Sequence, residues 1–299
     1  MDMPAAELDV HAALVARLVD EQHPDLADKV TLVANGWDNA LFRLGESLSV
    51  RLPRREAAAE LVLNEQRWLP VLAPQLPRPT PVPVRAGVST DYYPWAWSIT
   101  PWFEATAAAE LDAAARAPVA AELAEFLVAL HTEAPADAPY NPVRGVPLVS
   151  RTHAVHDRLA GGSIEHADEI AALWGRLVET PAWSRPPLWL HGDPHPANIL
   201  LTTDASGRPT RLAAVIDFGD VTAGDPATDL AAAWLVFDAE ARAAFRSRTD
   251  ALAAVDDDTW LRARGWALNM GTAIAAFSDD NPRLAAIGAH ALEQVLLDD

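Results

Sequence analysis

Two short polar segments restrict what this chain can be more than any other feature of its sequence. The first is HGDPHPAN, residues 191–198, followed by the apolar run ILL; the second is VIDFGD, residues 215–220. The H-x-D-x-x-x-x-N loop supplies a carboxylate from Asp193 and an amide oxygen from Asn198, and the D-F-G turn supplies a second carboxylate from Asp217. Phosphoryl transfer from a nucleotide needs one carboxylate near the acceptor hydroxyl and oxygen ligands for magnesium. The order and spacing of the two segments predict that chemistry.

The apolar pattern predicts two parts that differ in secondary structure. In the first part it predicts a helix over residues 5–20, strands at 30–34, 40–44, 47–52 and 95–101, a helix at 56–72 and an extended proline segment at 76–83. In the second part it predicts helices at 111–132, 150–180 and 225–299 around short strands at 188–190, 199–202 and 213–216. We therefore predict an α+β fold with a small β-rich N-terminal lobe, residues 1–102, and a larger, mainly helical C-terminal lobe, residues 103–299.

Composition excludes several classes of protein. The chain has no cysteine, so disulfides, thiol catalysis and thiolate zinc sites are excluded. The net charge of −19 disfavours nucleic acid and anionic membranes as partners, because both require basic surfaces. No apolar run is long enough to span a membrane, and residues 1–20 lack the basic start of a signal peptide. We expect a cytoplasmic protein, a monomer or a homodimer, with a small molecule as its partner.

Beyond the two motifs, the sequence resembles the aminoglycoside phosphotransferase family, whose fold is like that of protein kinases. The likeness extends over nearly the whole chain and includes the segments 35–39 (NGWDN), 50–54 (VRLPR), 64–69 (NEQRWL), 95–98 (WAWS), 224–226 (GDP) and 229–230 (DL). The resemblance implies that the γ-phosphoryl group of ATP or GTP is transferred to a hydroxyl of a small acceptor.

The resemblance also implies a role for each motif residue. Asp193 would be the catalytic base that orients the acceptor hydroxyl and accepts its proton. Asn198 and Asp217 would hold Mg²⁺ against the nucleotide phosphates. His191 and Asp229 would support the loop.

One departure from the kinase pattern concerns the lysine that usually contacts the α- and β-phosphates. The only lysine here, Lys29, precedes the first strand and is badly placed. Arg51 occupies the matching strand position, with Glu65 as its expected partner and Glu60 as the alternative if the helix register is shifted. An arginine binds phosphate bidentately but is bulkier than an ammonium group.

Further nucleotide contacts are expected from a turn and a hinge. The turn that contains Trp37 and Asn39 has one glycine, and these two side chains would lie over the phosphates. The hinge contains Thr100 and Trp102, whose backbone would meet the purine. Pro101 has no N–H, so the donor is expected from Trp102 or its neighbours.

The acceptor is expected to bind in the helical lobe. Residues 103–299 hold 29 acidic and 14 basic residues, a net charge of −15, which suits a cationic acceptor such as an aminoglycoside. The candidate contacts are Asp220, Trp260, Arg264, Trp266 and Asn269. The same fold phosphorylates macrolides, choline, homoserine and sugars, so the fold leaves the acceptor open.

Two other functions compete with a phosphotransferase. The missing strand lysine and the single glycine of the turn also suit a catalytically silent relative that only binds nucleotide. The third hypothesis is a metal-dependent hydrolase in which His191, Asp193 and His195 are zinc ligands at alternate positions.

Overall fold

The structure is a computed structural model and describes residues 5–298. Residues 1–4 and 299, which the predicted lobes include, lie outside the described residues. The expected absence of a signal peptide over residues 1–20 also falls in part on residues 1–4. An antiparallel sheet occupies the first part, with the strand order β1-β2-β3-β5-β4. Its strands are β1 (Val30–Asn35), β2 (Asn39–Leu44), β3 (Leu48–Pro53), β4 (Arg85–Gly87) and β5 (Trp97–Pro101). In β2 every second side chain is buried, as expected for a strand with one covered face.

The helix α1 (Ala12–Gln22) covers one face of this sheet. Its buried residues Val15, Leu18 and Val19 join apolar strand residues in one cluster. The helix begins after His11, whose Nδ1 accepts a hydrogen bond from the Leu14 N–H at 3.2 Å and so caps the first turn.

The predicted helix over residues 5–20 is wrong in its first half. The backbone N–H groups of Glu7 and Leu8 donate to the Arg54 carbonyl at 2.9 and 3.4 Å. This segment is therefore tied to the end of β3, and the helix starts only after the His11 cap.

The helix α2 (Ala59–Leu72) connects the sheet with the rest of the molecule. It carries the buried Glu65 behind β3. Its second half places Trp68, Leu69 and Leu72 in the apolar cluster of the C-terminal part. The prolines at 77, 79, 81 and 83 follow it in a segment without helix or strand, as the sequence predicts.

The remaining chain is mainly helical. Its helices are α3 (Ala120–Leu130), α4 (Thr152–Ala160), α5 (Ala167–Leu177), α6 (Ala227–Leu230), α7 (Ala232–Val236), α8 (Ala239–Ala253), α9 (Asp257–Ala276) and α10 (Pro282–Leu296). Its strands are β6 (Thr106–Ala107), β7 (Leu188–Leu190), β8 (Ile199–Thr203), β9 (Pro209–Val215) and β10 (Thr222–Gly224). Most residues of α9 are buried, and it packs against α4, α5, α6, α7 and α10. β8 pairs with β6 and β9, and β7 pairs with β10.

The predicted helix over residues 111–132 is also only partly correct. Residues Ala113–Val119 form tighter 3₁₀ turns that contain Pro118, and the α-helix begins at Ala120. Proline lacks the N–H that an α-helix interior requires, so the regular helix starts after it.

The predicted α+β class is confirmed by the antiparallel sheet at one end and the helices at the other. The lobe boundary at residue 102 stays a prediction. Among the described residues, no helix is both long and apolar enough to cross a membrane.

Candidate active site

The HGDPHPAN segment leaves β7 and returns as β8. Gly192 has a φ of 88°, and a Cβ there would lie 2.5 Å from the Asp220 carbonyl oxygen, so the turn requires glycine. His191 Nδ1 accepts from the Asp193 N–H at 3.1 Å, and its Nε2 donates to the Ile216 carbonyl at 2.9 Å. The imidazole thus joins the backbones of both polar motifs.

Asp229 on α6 binds the backbone of the same loop. Its fully buried carboxylate accepts the N–H groups of His191 and Gly192, each at 2.8 Å. His131 Nε2 lies 3.1 Å from the same carboxylate. Asp193 follows His191 and Gly192 in the loop, and its side chain is partly exposed.

The Asp193 carboxylate lies between two cationic side chains. One oxygen is 3.2 Å from Arg144 Nη2, and the other is 3.4 Å from His195 Nε2. Burial acts to raise the pKa of Asp193, but the charges of His195 and Arg144 outweigh it and hold that pKa below its usual range. Asp193 is therefore ionised at neutral pH and free to accept a proton from a hydroxyl.

Asn198 and Asp217 meet where β8 and β9 pair. The Ile216 N–H donates to the Asn198 carbonyl at 2.9 Å, which links the two segments. Asn198 Nδ2 donates to the Asp193 carbonyl at 3.0 Å, so its amide oxygen is turned to the other side. Asp217 has a φ of 64°, a conformation rare for this residue type, and its carboxylate is about half exposed.

This donor set fits magnesium. Mg²⁺ in nucleotide sites takes one or two protein oxygens and completes its shell with phosphates and water, and one amide oxygen and one carboxylate satisfy that need. Within residues 5–298, no three His, Asp or Glu side chains form a group that could hold a metal ion, so the zinc hypothesis has no further ligands there.

Arg51 connects the sheet, α2 and Asp217. Its Nη1 lies 2.7 Å from Glu65 Oε1, and its Nη2 bonds Asp217 Oδ1, whereas Glu60 is exposed. Burial raises the pKa of Glu65 to about 7. Burial opposes the charge of Arg51, but Asp217 and Glu65 raise its pKa well above the usual value. With its amide rotated by half a turn, Asn39 places its oxygen 3.2 Å from Arg51 Nε.

The remaining residues predicted to contact nucleotide are placed differently. Trp37 packs edge-on against Phe277 after the end of α9, with ring centroids 6.2 Å apart. The Thr100 hydroxyl is buried and 2.8 Å from the Ser49 hydroxyl. The Trp102 N–H donates to the Ser47 carbonyl at 2.8 Å, so the expected donor to a purine is already in use there.

Four of the five residues predicted to contact the acceptor lie in the helical interior, and their role in acceptor binding stays a prediction. Trp260, Arg264, Trp266 and Asn269 are buried side chains of the central helix α9. The Trp260 indole donates to Asp250, and Arg264 donates to the Val295 carbonyl. These contacts pack α9 against α8 and α10. Asp220, in contrast, lies 3.8 Å from Arg144 beside the loop.

Comparison with known proteins shows the family of the chain. The model of the phosphotransferase enzyme family matches residues 29–266. The chain belongs to this family. No curated protein matches it significantly.

Solved structures of similar fold cover nearly the entire phosphotransferase chain. The GDP and kanamycin complex of APH(2")-IIia is 18% identical, with a TM-score of 0.69, covering 96% of this chain and 99% of the other. Macrolide 2'-phosphotransferase type I is 19% identical, with a TM-score of 0.62 and coverage of 96% and 99%. ADP-bound APH(2'')-Ib is 15% identical, with a TM-score of 0.59 and coverage of 96% and 99%. At these identities the likeness confirms the protein-kinase-like fold.

Two neighbours of Asp193 in this phosphotransferase, Arg144 and His195, are not among the residues predicted for phosphoryl transfer. A sequence signal lies beside Arg144. Gly145 has a φ of 67°, and a Cβ there would lie 3.2 Å from the Gly224 Cα. Two glycines thus let the loop approach β10 and bring Arg144 to the site. The raised pKa of His195, caused by Asp193 against the effect of burial, favours its cationic form there.

Proposed function

We propose that this family member transfers the γ-phosphoryl group of ATP or GTP to a hydroxyl of a small acceptor. The observation that supports it most directly is the placement of an ionised Asp193 beside Asn198, with Asp217 held across from it by Arg51. Antibiotic hydroxyls and the hydroxyls of ordinary metabolites are both chemically suitable for this step.

In the proposed mechanism Asp193 accepts a hydrogen bond from the acceptor hydroxyl and takes its proton as the oxygen bonds to phosphorus. The bond to the nucleoside diphosphate oxygen breaks in the same step, and the diphosphate leaves. His191 and Asp229 keep the carboxylate in place through the loop backbone. Arg51, oriented by Glu65, binds phosphate oxygens.

Asn198 and Asp217 would hold magnesium in this site. When bound, the ion would supply positive charge that offsets the negative charge developing on the phosphates. The left-handed backbone of Asp217 directs its carboxylate toward Arg51 and the cleft.

The test measures nucleoside diphosphate release with Mg-ATP and Mg-GTP across aminoglycosides, macrolides, choline, homoserine and sugars. Nucleotide binding is measured separately by calorimetry. We expect Asp193→Asn to lower the turnover number about 10²–10⁴-fold with little change in nucleotide affinity, because this carboxylate acts on the acceptor. Asp217→Asn should weaken Mg-nucleotide binding itself.

Asp91→Asn is the matched control, since Asp91 is an exposed carboxylate in a turn of the N-terminal part. It should behave as the unmodified protein in both measurements. Unchanged turnover of Asp193→Asn would reject its catalytic role. Nucleotide binding without release for every acceptor would favour the silent relative, and the absence of nucleotide binding would reject both functions.

A further inference from the structure

Arg144 lies beside Asp193, and Arg151 and Arg158 lie close enough for the charges of the three arginines to interact; we call Arg144, Arg151 and Arg158 the arginine cluster. Arg144 comes from the loop after α3. Arg151 ends the 3₁₀ turn Leu148–Arg151, and Arg158 lies on α4, which continues that turn. Arg151 and Arg158 are seven residues apart, which places them on one face of the helical segment.

The cluster has few carboxylates to balance it. Arg144 Nη2 lies 3.2 Å from Asp193 and 3.8 Å from Asp220. Arg158 Nη1 donates to neutral groups on α9, the carbonyl and amide oxygens of Asn269 at 3.0 and 3.1 Å and the Thr272 hydroxyl at 3.4 Å.

Arg151 is the unsatisfied member of the cluster. It makes no hydrogen bond or ion pair with any residue between 5 and 298, and its Nε is buried. A buried Nε without an acceptor costs free energy, and because the rest of the Arg151 side chain is partly exposed, its guanidinium group is accessible to an anion that is not part of the chain.

The three guanidinium groups repel one another. Burial and the charges of Arg151 and Arg144 lower the pKa of Arg158 to about 10, while Asp157 acts in the opposite direction. Burial and the charge of Arg144 lower the pKa of Arg151. A bound anion would relieve this repulsion, whereas an ammonium group would add to it.

From this geometry we propose that the arginine cluster binds an anionic group of the acceptor. The acceptor is then a small hydroxyl compound that carries a carboxylate or a phosphate, with its hydroxyl directed to Asp193. This inference rests on the proposed function and narrows its substrate class. The net charge of −15 in residues 103–299, which suited a cation, does not extend to the cluster beside Asp193.

The test is a binding measurement that needs no nucleotide. Four probes share one frame: glucose is neutral, glucosamine is cationic, glucuronate carries a carboxylate and glucose 6-phosphate carries a phosphate. Thermal unfolding is followed while each probe is titrated at constant ionic strength. The unmodified protein, Arg151→Gln and Arg176→Gln are compared, Arg176 being an exposed arginine on α5.

We expect at least one anionic probe to raise the unfolding temperature of the unmodified protein and of Arg176→Gln, whereas glucose and glucosamine do not. Arg151→Gln should lower the affinity for that anion at least tenfold, because it removes a charge-assisted contact. The stronger of the two anionic probes identifies carboxylate or phosphate as the recognised group.

No anion-dependent shift in the unmodified protein would overturn the inference. So would equal shifts in Arg151→Gln, or binding of glucosamine as tight as that of both anions. These outcomes leave nucleoside diphosphate release untouched, so they are distinct from a failure of the proposed function, which would show as absent nucleotide binding or absent release.

Discussion

Gly192 and Gly207 both have a left-handed backbone, but only Gly192, in the catalytic loop, is crowded by neighbouring atoms. Substituting each of them therefore distinguishes the cost of backbone strain from the cost of crowding. Gly192 and Gly207 have φ of 88° and 80°. A Cβ at Gly192 meets the Asp220 carbonyl at 2.5 Å, and nothing lies within 4 Å at Gly207. We expect Gly207→Ala to lower the free energy of unfolding by about 1 kcal/mol and Gly192→Ala by about 3 kcal/mol, in urea denaturation. Equal losses would mean that Asp220 moves aside without cost.

The Arg51–Glu65 pair allows a second stability test. Both side chains are nearly buried, with 12% and 6% exposure. Arg51→Met leaves Glu65 and Asp217 without their cation, and we expect it to lower the free energy of unfolding by about 3 kcal/mol. Adding Glu65→Met should restore part of that loss, because removing both charges abolishes the unpaired buried carboxylate. A double variant less stable than Arg51→Met would contradict the ion-pair account.

The sequence alone predicts that two residues lie close together where they share one loop or follow neighbouring strands. Asp193 and Asn198 share one loop, and Asp217 follows the neighbouring strand, so their spacing carries the geometry. Arg144 reaches Asp193 from 49 positions away, through the contact of two glycines. No local spacing records such a contact, which is why sequence reasoning missed it.

The N-terminus of α9 shows what a single cap contributes to a central helix. Asp256 Oδ1 accepts from the Thr259 N–H at 2.8 Å and from its hydroxyl at 2.6 Å. We expect Asp256→Ala to lower the free energy of unfolding by about 1 kcal/mol at neutral pH. Asp257→Ala, the exposed neighbour, should lower it less.

The Asp256 cap should also make the free energy of unfolding depend on pH. The hydrogen bonds from Thr259 lower the pKa of Asp256 below its unfolded value. The stabilisation is therefore present above about pH 3.9, the ordinary value for aspartate, and is lost as the pH falls through the lowered pKa. Equal stability of the protein and Asp256→Ala at neutral pH would contradict the capping role.

Helices and strands were predictable where the apolar pattern was long. The strands β2 and β3 were predicted to within one residue at each end, and the side chains of β2 alternate between buried and half-buried. The strands β4, β6 and β10 have only two or three residues and no continuous apolar run, so they were missed, whereas β7 is as short but consists of the apolar run Leu188–Leu190. They are formed by tertiary pairing.

Across the entire chain, apolar packing accounts for the buried positions of Trp260 and Trp266. The C-terminal apolar cluster, which the second half of α2 joins, includes Trp260 and Trp266. Tryptophan suits both a helical core and a ligand cleft, and the sequence around α9 contains polar residues that suggest a cleft. Their partners lie in other helices, so only the folded chain shows that these side chains are interior.

Global stability should depend on His290 below neutral pH. His290 Nε2 on α10 lies 3.2 Å from the Phe237 carbonyl, and burial together with the charge of Arg116 lowers the pKa of the imidazole. The unfolded chain takes up a proton as the pH falls through about 6.5, while the folded chain resists it. The free energy of unfolding therefore decreases as the pH falls from about 6.5 to the lowered pKa of the folded protein.

The measurement compares urea midpoints of the unmodified protein and His290→Gln between pH 8 and pH 5. Glutamine retains a donor for the Phe237 carbonyl but does not titrate. Other titrating groups act equally in both proteins and cancel in the comparison. We expect the unmodified protein to lose stability relative to His290→Gln as the pH falls from 7 to 5, because only its imidazole must be kept neutral in the fold. Parallel curves would show that the imidazole has the same pKa in the folded and unfolded chains.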